Sequence, residues 1–273
     1  MTKIPNLRLV EIELHSYCNR KCKWCPNNYI DRKSDCYYLD EALFRRLIKE
    51  LAENQYEGRI SFSRYNEPFY DTENLNNCIK IIKEHLPNVV TVSNTNGDYI
   101  TREVLGNMLI DELSIMDYDS NNKSVLLDRL TGWGVTNILD YGNYLVGTFG
   151  NKKVLYYCSW NDVAEISDRG GNLEQYSKTV RDYPCYEPLY FVGINYDGTV
   201  SPCCNIRNDC DNQKLYIIGD LNKQSLADIL RSKRYMDFVE KVTKSKYDPS
   251  MPCYYCINKG GRYTKKDGGI LYE

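Results

Sequence analysis

Three thiols fall within the stretch Cys18-Asn19-Arg20-Lys21-Cys22-Lys23-Trp24-Cys25, spaced C-x3-C-x2-C. Three thiolates leave a tetrahedral zinc ion one ligand short. They also leave one iron of a [4Fe–4S] cluster without a protein ligand. No nearby cysteine has a natural spacing for the fourth place. A cluster held this way presents an open iron to an outside ligand. A zinc knuckle completed by a distant Cys or His, and three simply buried thiols, are the plainer readings of the same residues.

A second set lies downstream. Cys185, Cys203, Cys253 and Cys256 include a C-x2-C pair and surround a hairpin signal, Asn195-Tyr196-Asp197-Gly198. Four thiolates suit a zinc ribbon or a fully ligated [4Fe–4S] cluster. Cys204 competes with Cys203 for its place. The chain has 12 cysteines and no apolar signal core at its start, which favours metal over disulfides and predicts a cytoplasmic protein.

The elements that must position these thiols alternate. Residues 7–14 read as a strand ending just before the first cysteine loop. Residues 40–54 form an amphipathic helix capped by Asp40. A strand at 59–63 runs into Tyr65-Asn66-Glu67-Pro68. A helix at 75–86 stops at Pro87, and a β-branched strand at 89–92 ends in Ser93-Asn94-Thr95-Asn96-Gly97. A helix at 101–108, strands at 112–116, 136–140 and 153–158, and a short helix at 124–130 complete the pattern. Six β/α repeats in this length predict an α/β partial (β/α)6 TIM-like barrel, since a full eightfold barrel takes about 250 residues. The barrel is expected over residues 1–170, with a small α+β domain over 171–273. In it Ser225 caps a helix that breaks near Ser232. The first cysteine loop would then sit on the catalytic rim, at the C-terminal end of strand one.

Bulk properties narrow the classes. The chain of 273 residues carries a net charge of −2, so it has no global basic field for nucleic acid. Lys21 with Lys23, and Lys265 with Lys266, read as small solvated patches. No apolar run is long enough for a membrane span. The excess of 25 tyrosines over 6 phenylalanines fits a biased genome or a hydroxyl-lined cavity equally well.

Together the cysteine triad, Glu67-Pro68 and the downstream quartet resemble the radical S-adenosylmethionine (SAM) superfamily with a C-terminal SPASM/twitch extension. The resemblance implies two [4Fe–4S] clusters. One would be held by Cys18, Cys22 and Cys25 and would bind SAM, whose cleavage releases a 5′-deoxyadenosyl radical. The other would be an auxiliary cluster on Cys185, Cys203, Cys253 and Cys256. The superfamily's Gly-Gly-Glu-Pro stands here as Tyr-Asn-Glu-Pro, so Glu67, with Asn66 beside it, is expected at the SAM amino group. Thr95 and Asn96 are expected near the SAM methionine and ribose, and Trp24 near the cluster or the adenine. Arg169, in Asp168-Arg169-Gly170-Gly171, would point into the cavity and bind a substrate oxygen. The resembled group includes a dehydrogenase of aminocyclitol antibiotic biosynthesis with the same C-x17-C and C-x2-C spacings.

Oxidation or epimerisation of a small hydroxylated substrate (a sugar, aminocyclitol or nucleoside-like molecule) is the expected activity, with flavodoxin or ferredoxin as electron donor. Epimerisation needs a thiol hydrogen-atom donor. Of the spare cysteines 36, 78, 158, 204 and 210, Cys158 at a strand end is best placed, although inert burial is the ordinary state of such a thiol. Modification of a ribosomally made peptide is the second reading. A non-catalytic iron–sulfur or zinc-binding interaction protein is the reading of another class.

Overall fold

The computed structural model describes residues 7–116, 118, 123–142, 144–157, 168–173 and 179–257. Its core is one ten-stranded sheet, in the order β10-β9-β8-β1-β2-β3-β4-β7-β6-β5. The N-terminal strands are β1 (Leu9–Ile12), β2 (Arg59–Ser61), β3 (Val90–Thr95) and β4 (Glu112–Met116), with β5 (Thr136–Asp140), β6 (Tyr144–Phe149) and β7 (Lys152–Tyr157) after them. The C-terminal part adds β8 (Phe191–Ile194), β9 (Thr199–Ser201) and β10 (Gly219–Asp220). The run β8-β1-β2-β3-β4-β7 is parallel throughout, and short antiparallel additions flank it on both sides.

Helices cover the parallel strands: α1 (Glu41–Glu53), α2 (Thr72–His85), α3 (Arg102–Asn107) and α4 (Lys123–Trp133). In α1 the apolar stripe Leu43, Phe44, Leu47, Ile48 and Leu51 is buried, and Asp40 caps the first turn by accepting from the Leu43 N–H at 2.8 Å. Burial dominates. Each of those side chains is worth about 1.5–3 kcal/mol, the cap about 1 kcal/mol. Asp71 caps α2 in the same way, so that helix begins at Thr72, earlier than the apolar pattern alone suggests. Cys78 lies on its buried face, within the main core.

The partial α/β barrel stands as expected, but its membership differs. Residues 136–140 are not a parallel barrel strand. They form the outer edge of an antiparallel meander, β5-β6-β7. Asn137 is left-handed at φ 52° and the β5–β6 register shifts between Thr136 and Leu139, so this segment does not present a regular pleat. Gly142, at φ 87°, starts the turn into β6 and donates to Asp140 at 2.8 Å. Gly-Asn between two apolar runs is a hairpin signal.

The sixth parallel strand is β8, which pairs with β1 from Leu9↔Phe191 to Ile12↔Ile194. The cluster domain therefore grows out of the same sheet as the barrel. Residues 187–190, just before β8, form a helical turn, α5 (Glu187–Tyr190), with Pro188 in its first positions. The expected break in the later helix is present. Ser225 caps α6 (Leu226–Ile229) and Ser232 caps α7 (Lys233–Thr243). No helix among the described residues is long and apolar enough to cross a membrane.

One glycine in β8 is dictated by its neighbours. Gly193 lies opposite Glu11 of β1, and a Cβ on it would come within 1.6 Å of Arg64 Nη1. Arg64 cannot swing aside freely. Its side chain is fully buried, its Nη1 contacts Glu11 at 3.1 Å and its Nη2 donates to the Ile206 carbonyl at 3.0 Å. Gly193→Ala is expected to cost about 1–3 kcal/mol, measured by thermal unfolding. A wild-type melting curve would show that the guanidinium has room to move.

Candidate active site

The first cysteine loop leaves the C-terminal end of β1. Its backbone is pinned where Cys18 N–H donates to the Arg32 carbonyl at 2.9 Å, and Pro26–Asn28 form a 3-10 turn directly after Cys25. A polar strap ties this loop to the loop after β3. Asn96 Nδ2 donates to Asn19 Oδ1 at 2.8 Å, Asn19 Nδ2 donates to Asp98 at 2.6 Å, and Arg20 forms a two-point pair with Asp98.

Glu67 is 2% exposed and collects three donors. Thr95 Oγ1 donates at 2.6 Å, the Asn96 N–H at 2.9 Å and the Phe69 N–H at 3.2 Å. Three expected SAM-site residues, Glu67, Thr95 and Asn96, thus touch one another across the ends of β2 and β3. Each donor favours the carboxylate, yet burial outweighs them and lifts Glu67 from 4.5 to about 7.

The folded chain therefore keeps a proton that the unfolded chain releases. Stability is greatest below the unfolded value and falls as pH rises towards 7, by about 3 kcal/mol in all. Glu67→Gln is expected to flatten that fall when urea unfolding is followed from about pH 5 to 7.5. An unaltered slope would assign the effect to other groups.

Asn66 accepts from the Arg64 N–H at 3.1 Å, while its own side-chain nitrogen is buried without a hydrogen bond. Trp24 is similar: its ring packs on Leu173 and lies 5.4 Å from Tyr118, and its indole N–H is buried and unbonded. Two buried donors lacking acceptors suit a ligand that brings carboxylate, carbonyl or purine acceptors.

Arg169 sits at φ 51°, a left-handed backbone that a non-glycine residue seldom adopts. Gln213 holds this turn, donating to the carbonyls of Arg169 and Gly170 at 3.3 and 2.8 Å. Burial works against the Arg169 charge, and the neighbouring Tyr65, Cys204, Cys25 and Tyr118 favour it. The guanidinium reaches the segment that follows Cys204. Its Nη1 donates to Asn205 Oδ1 at 3.4 Å. Cys158 lies outside the described residues.

Three of the quartet share one small core. Cys185 packs with Ile206, Phe238, Val242 and Met251, and Cys203 and Cys253 rest against it. Asn205 reaches both Cys203 and Cys256. Among the described residues no group of three His, Cys, Asp or Glu side chains closes to metal-binding distance. The donor set nevertheless fits a cluster or a soft metal. All the ligand candidates are thiols, and burial pushes Cys18 and Cys185 up to about 11. Burial also raises Cys253, and Cys204 together with burial raises Cys203. Such thiols ionise only when a metal supplies the compensating charge.

Sequence reasoning missed the charges beneath the site. Glu11 and Glu13 point to the opposite face of β1 from Val10 and Ile12. Glu13 accepts from Arg32 at 3.0 Å and from the Tyr65 N–H at 3.1 Å. Arg32 also pairs with Asp209 at 2.7 Å, and Asp209 takes a two-point pair from Arg207. Arg207 lies 3.8 Å from the Tyr65 ring centroid and donates to Asn27 at 3.0 Å. Two acids at alternate positions of a strand covered on both faces were the available signal, because such acids demand buried cations.

Residues 185–257 match the SPASM iron–sulfur cluster-binding domain. The chain is 27% identical over 253 residues to the S-adenosyl-L-methionine-dependent 2-deoxy-scyllo-inosamine dehydrogenase of Niallia circulans, covering 92% of each chain. Its fold is similar to that of BtrN in complex with AdoMet and 2-DOIA, with a TM-score of 0.74 at 23% identity over 99% of this chain and 100% of that one. The native anSMEcpe structure with bound AdoMet aligns with a TM-score of 0.52 at 12% identity, over 86% of this chain and 84% of that one.

Proposed function

The chain is a radical SAM enzyme with a C-terminal SPASM domain, and from that premise we propose that it oxidises a secondary alcohol of a small hydroxylated ring to a ketone. The observation that carries this is the near full-length relationship to an aminocyclitol dehydrogenase, in a chain holding both the cysteine triad and the cysteine quartet. An aminocyclitol is the leading substrate class.

In this reading Cys18, Cys22 and Cys25 hold the SAM-binding [4Fe–4S] cluster, and Cys185, Cys203, Cys253 and Cys256 hold one auxiliary [4Fe–4S] cluster. The clusters and SAM supply a 5′-deoxyadenosyl radical for hydrogen abstraction and an acceptor for the second electron. Glu67, with Thr95 and the Asn96 backbone bracing it, takes the SAM ammonium. Asn66 and Trp24 offer their buried N–H groups to the rest of SAM. Arg169 orients a substrate oxygen from its strained turn. Residues 1–170 act as the SAM domain and 171–273 as the cluster domain. A cytoplasmic setting with flavodoxin or ferredoxin as reductant goes with this chemistry.

The test is anaerobic turnover of 2-deoxy-scyllo-inosamine and related aminocyclitols, deuterated at each carbinol carbon. A ketone product with deuterium carried into 5′-deoxyadenosine is expected. Solvent deuterium fixed on the substrate carbon would mean epimerisation. SAM cleavage stimulated only by a peptide would mean peptide maturation, and no SAM cleavage at all would return the protein to an iron–sulfur or zinc binding role.

A further inference from the structure

Asn205 follows the vicinal pair Cys203-Cys204 and is 4% exposed. Three of its polar groups meet a sulfur or a guanidinium. Its backbone N–H donates to Cys203 Sγ at 3.3 Å, its side-chain nitrogen to Cys256 Sγ at 3.7 Å, and its side-chain oxygen accepts from Arg169 Nη1 at 3.4 Å. Chemistry fixes the orientation of the amide. A guanidinium has nothing to accept with, and a ligand thiolate wants donors, so a flipped amide would lose both bonds. The Asn205 backbone is also close to the Arg169 turn, since a Cβ on Gly170 would lie 2.9 Å from the Asn205 carbonyl.

We propose that Asn205 is a positioning residue that sets the reduction potential of the auxiliary cluster, through hydrogen bonds to two of its ligand sulfurs, while anchoring the Arg169 guanidinium beside it. This rests on reading the cysteine quartet as the ligands of that cluster. A donor on a ligand sulfur draws off negative charge and favours the reduced state, so it raises the potential. Cys203 and Cys256 are far apart in the sequence, and Asn205 reaches both.

Two variants separate the roles. Asn205→Ala loses the bond to Cys256 and keeps the backbone bond to Cys203. Asn205→Asp keeps the shape and the acceptor for Arg169, but turns a donor towards sulfur into a negative oxygen. The potential is read by electron paramagnetic resonance during redox titration of the full chain, with Cys18, Cys22 and Cys25 replaced by Ala so that only the auxiliary cluster reports.

The expected order is wild type highest, Ala lower and Asp lowest. Asp should shift the reduction equilibrium at least about tenfold, or about 59 mV for a one-electron couple. A purely structural role would not produce that order. Equal potentials in all three chains, with cluster content unchanged, overturn the proposal and leave the function reading intact. A triad-deficient chain that binds no iron overturns both.

Should neither variant load its cluster, the wild-type protein carries the test. Exchangeable protons coupled to the reduced cluster, seen by electron–nuclear double resonance before and after transfer to deuterated water, support the proposal. Their absence defeats it.

Discussion

Replacing Cys18, Cys22 and Cys25 together by Ala is expected to bring 5′-deoxyadenosine release below detection and to halve the iron content, from about eight atoms per chain to about four. The three thiols share one short loop, and two backbone contacts shape it, Cys18 N–H to Arg32 and Cys25 N–H to the Cys22 carbonyl. Losing these side chains leaves the large barrel core of β1, α1 and α2 untouched, because none of the three belongs to it. Melting behaviour should therefore change little beyond the contribution of the lost cluster. The quartet in residues 185–256 should keep its own iron, since three of its thiols lie in a separate small core. Iron and sulfide assays with chromatography of the SAM products check both halves. A variant that retains full iron, or that still cleaves SAM, would show that the open-iron site lies elsewhere.

The second large effect is one of stability. Asp209→Ala is expected to destabilise the protein by about 3–5 kcal/mol, because it strands two buried guanidiniums rather than removing a pair cleanly. Arg207 donates to both oxygens of Asp209 at 2.7 Å, and Arg32 reaches the same carboxylate at 2.7 Å. The Arg207 side chain is fully buried and that of Arg32 is 3% exposed, so water cannot replace the lost anion. Arg32 would keep Glu13 at 3.0 Å, while Arg207 would keep only its neutral contacts with Asn27 and Tyr65. The melting temperature should fall by about 10 °C. A change within about a degree would mean that the charges relax or that water enters. Asp209→Asn, which keeps an acceptor but no charge, should fall between.

The pH dependence has a definite sign. Burial would raise Asp209, but Arg207 and Arg32 override it and hold the carboxyl far below its ordinary range. Its contribution is therefore fully present above the unfolded carboxylate value near 4 and is lost only in stronger acid. The penalty of Asp209→Ala should accordingly be flat from about pH 5 to 8. Since Arg32 also carries the carbonyl that receives Cys18 N–H, the variant should load less iron into the first site than into the second.

Chemistry written in neighbouring residues was legible from the chain itself. The C-x3-C-x2-C and C-x2-C spacings, the Glu67-Pro68 step after a strand, the apolar stripe of α1 and the caps at Asp40, Ser225 and Ser232 all repeat or terminate within a few residues. Ligand reach and helical periodicity act over that range. The same reading misplaced residues 136–140, because a short apolar run does not say whether its partner is parallel or antiparallel. The Gly142 turn decides that.

Only the folded chain could bring Arg32 to Asp209, 177 residues apart, or Arg207 to Asn27, 180 apart. It alone made β8 the sixth parallel strand and set Asn205 against two sulfurs and a guanidinium. Such pairings have no period and no spacing. They follow from which strand edges meet, and a buried charge takes its partner from whatever element the sheet order places opposite.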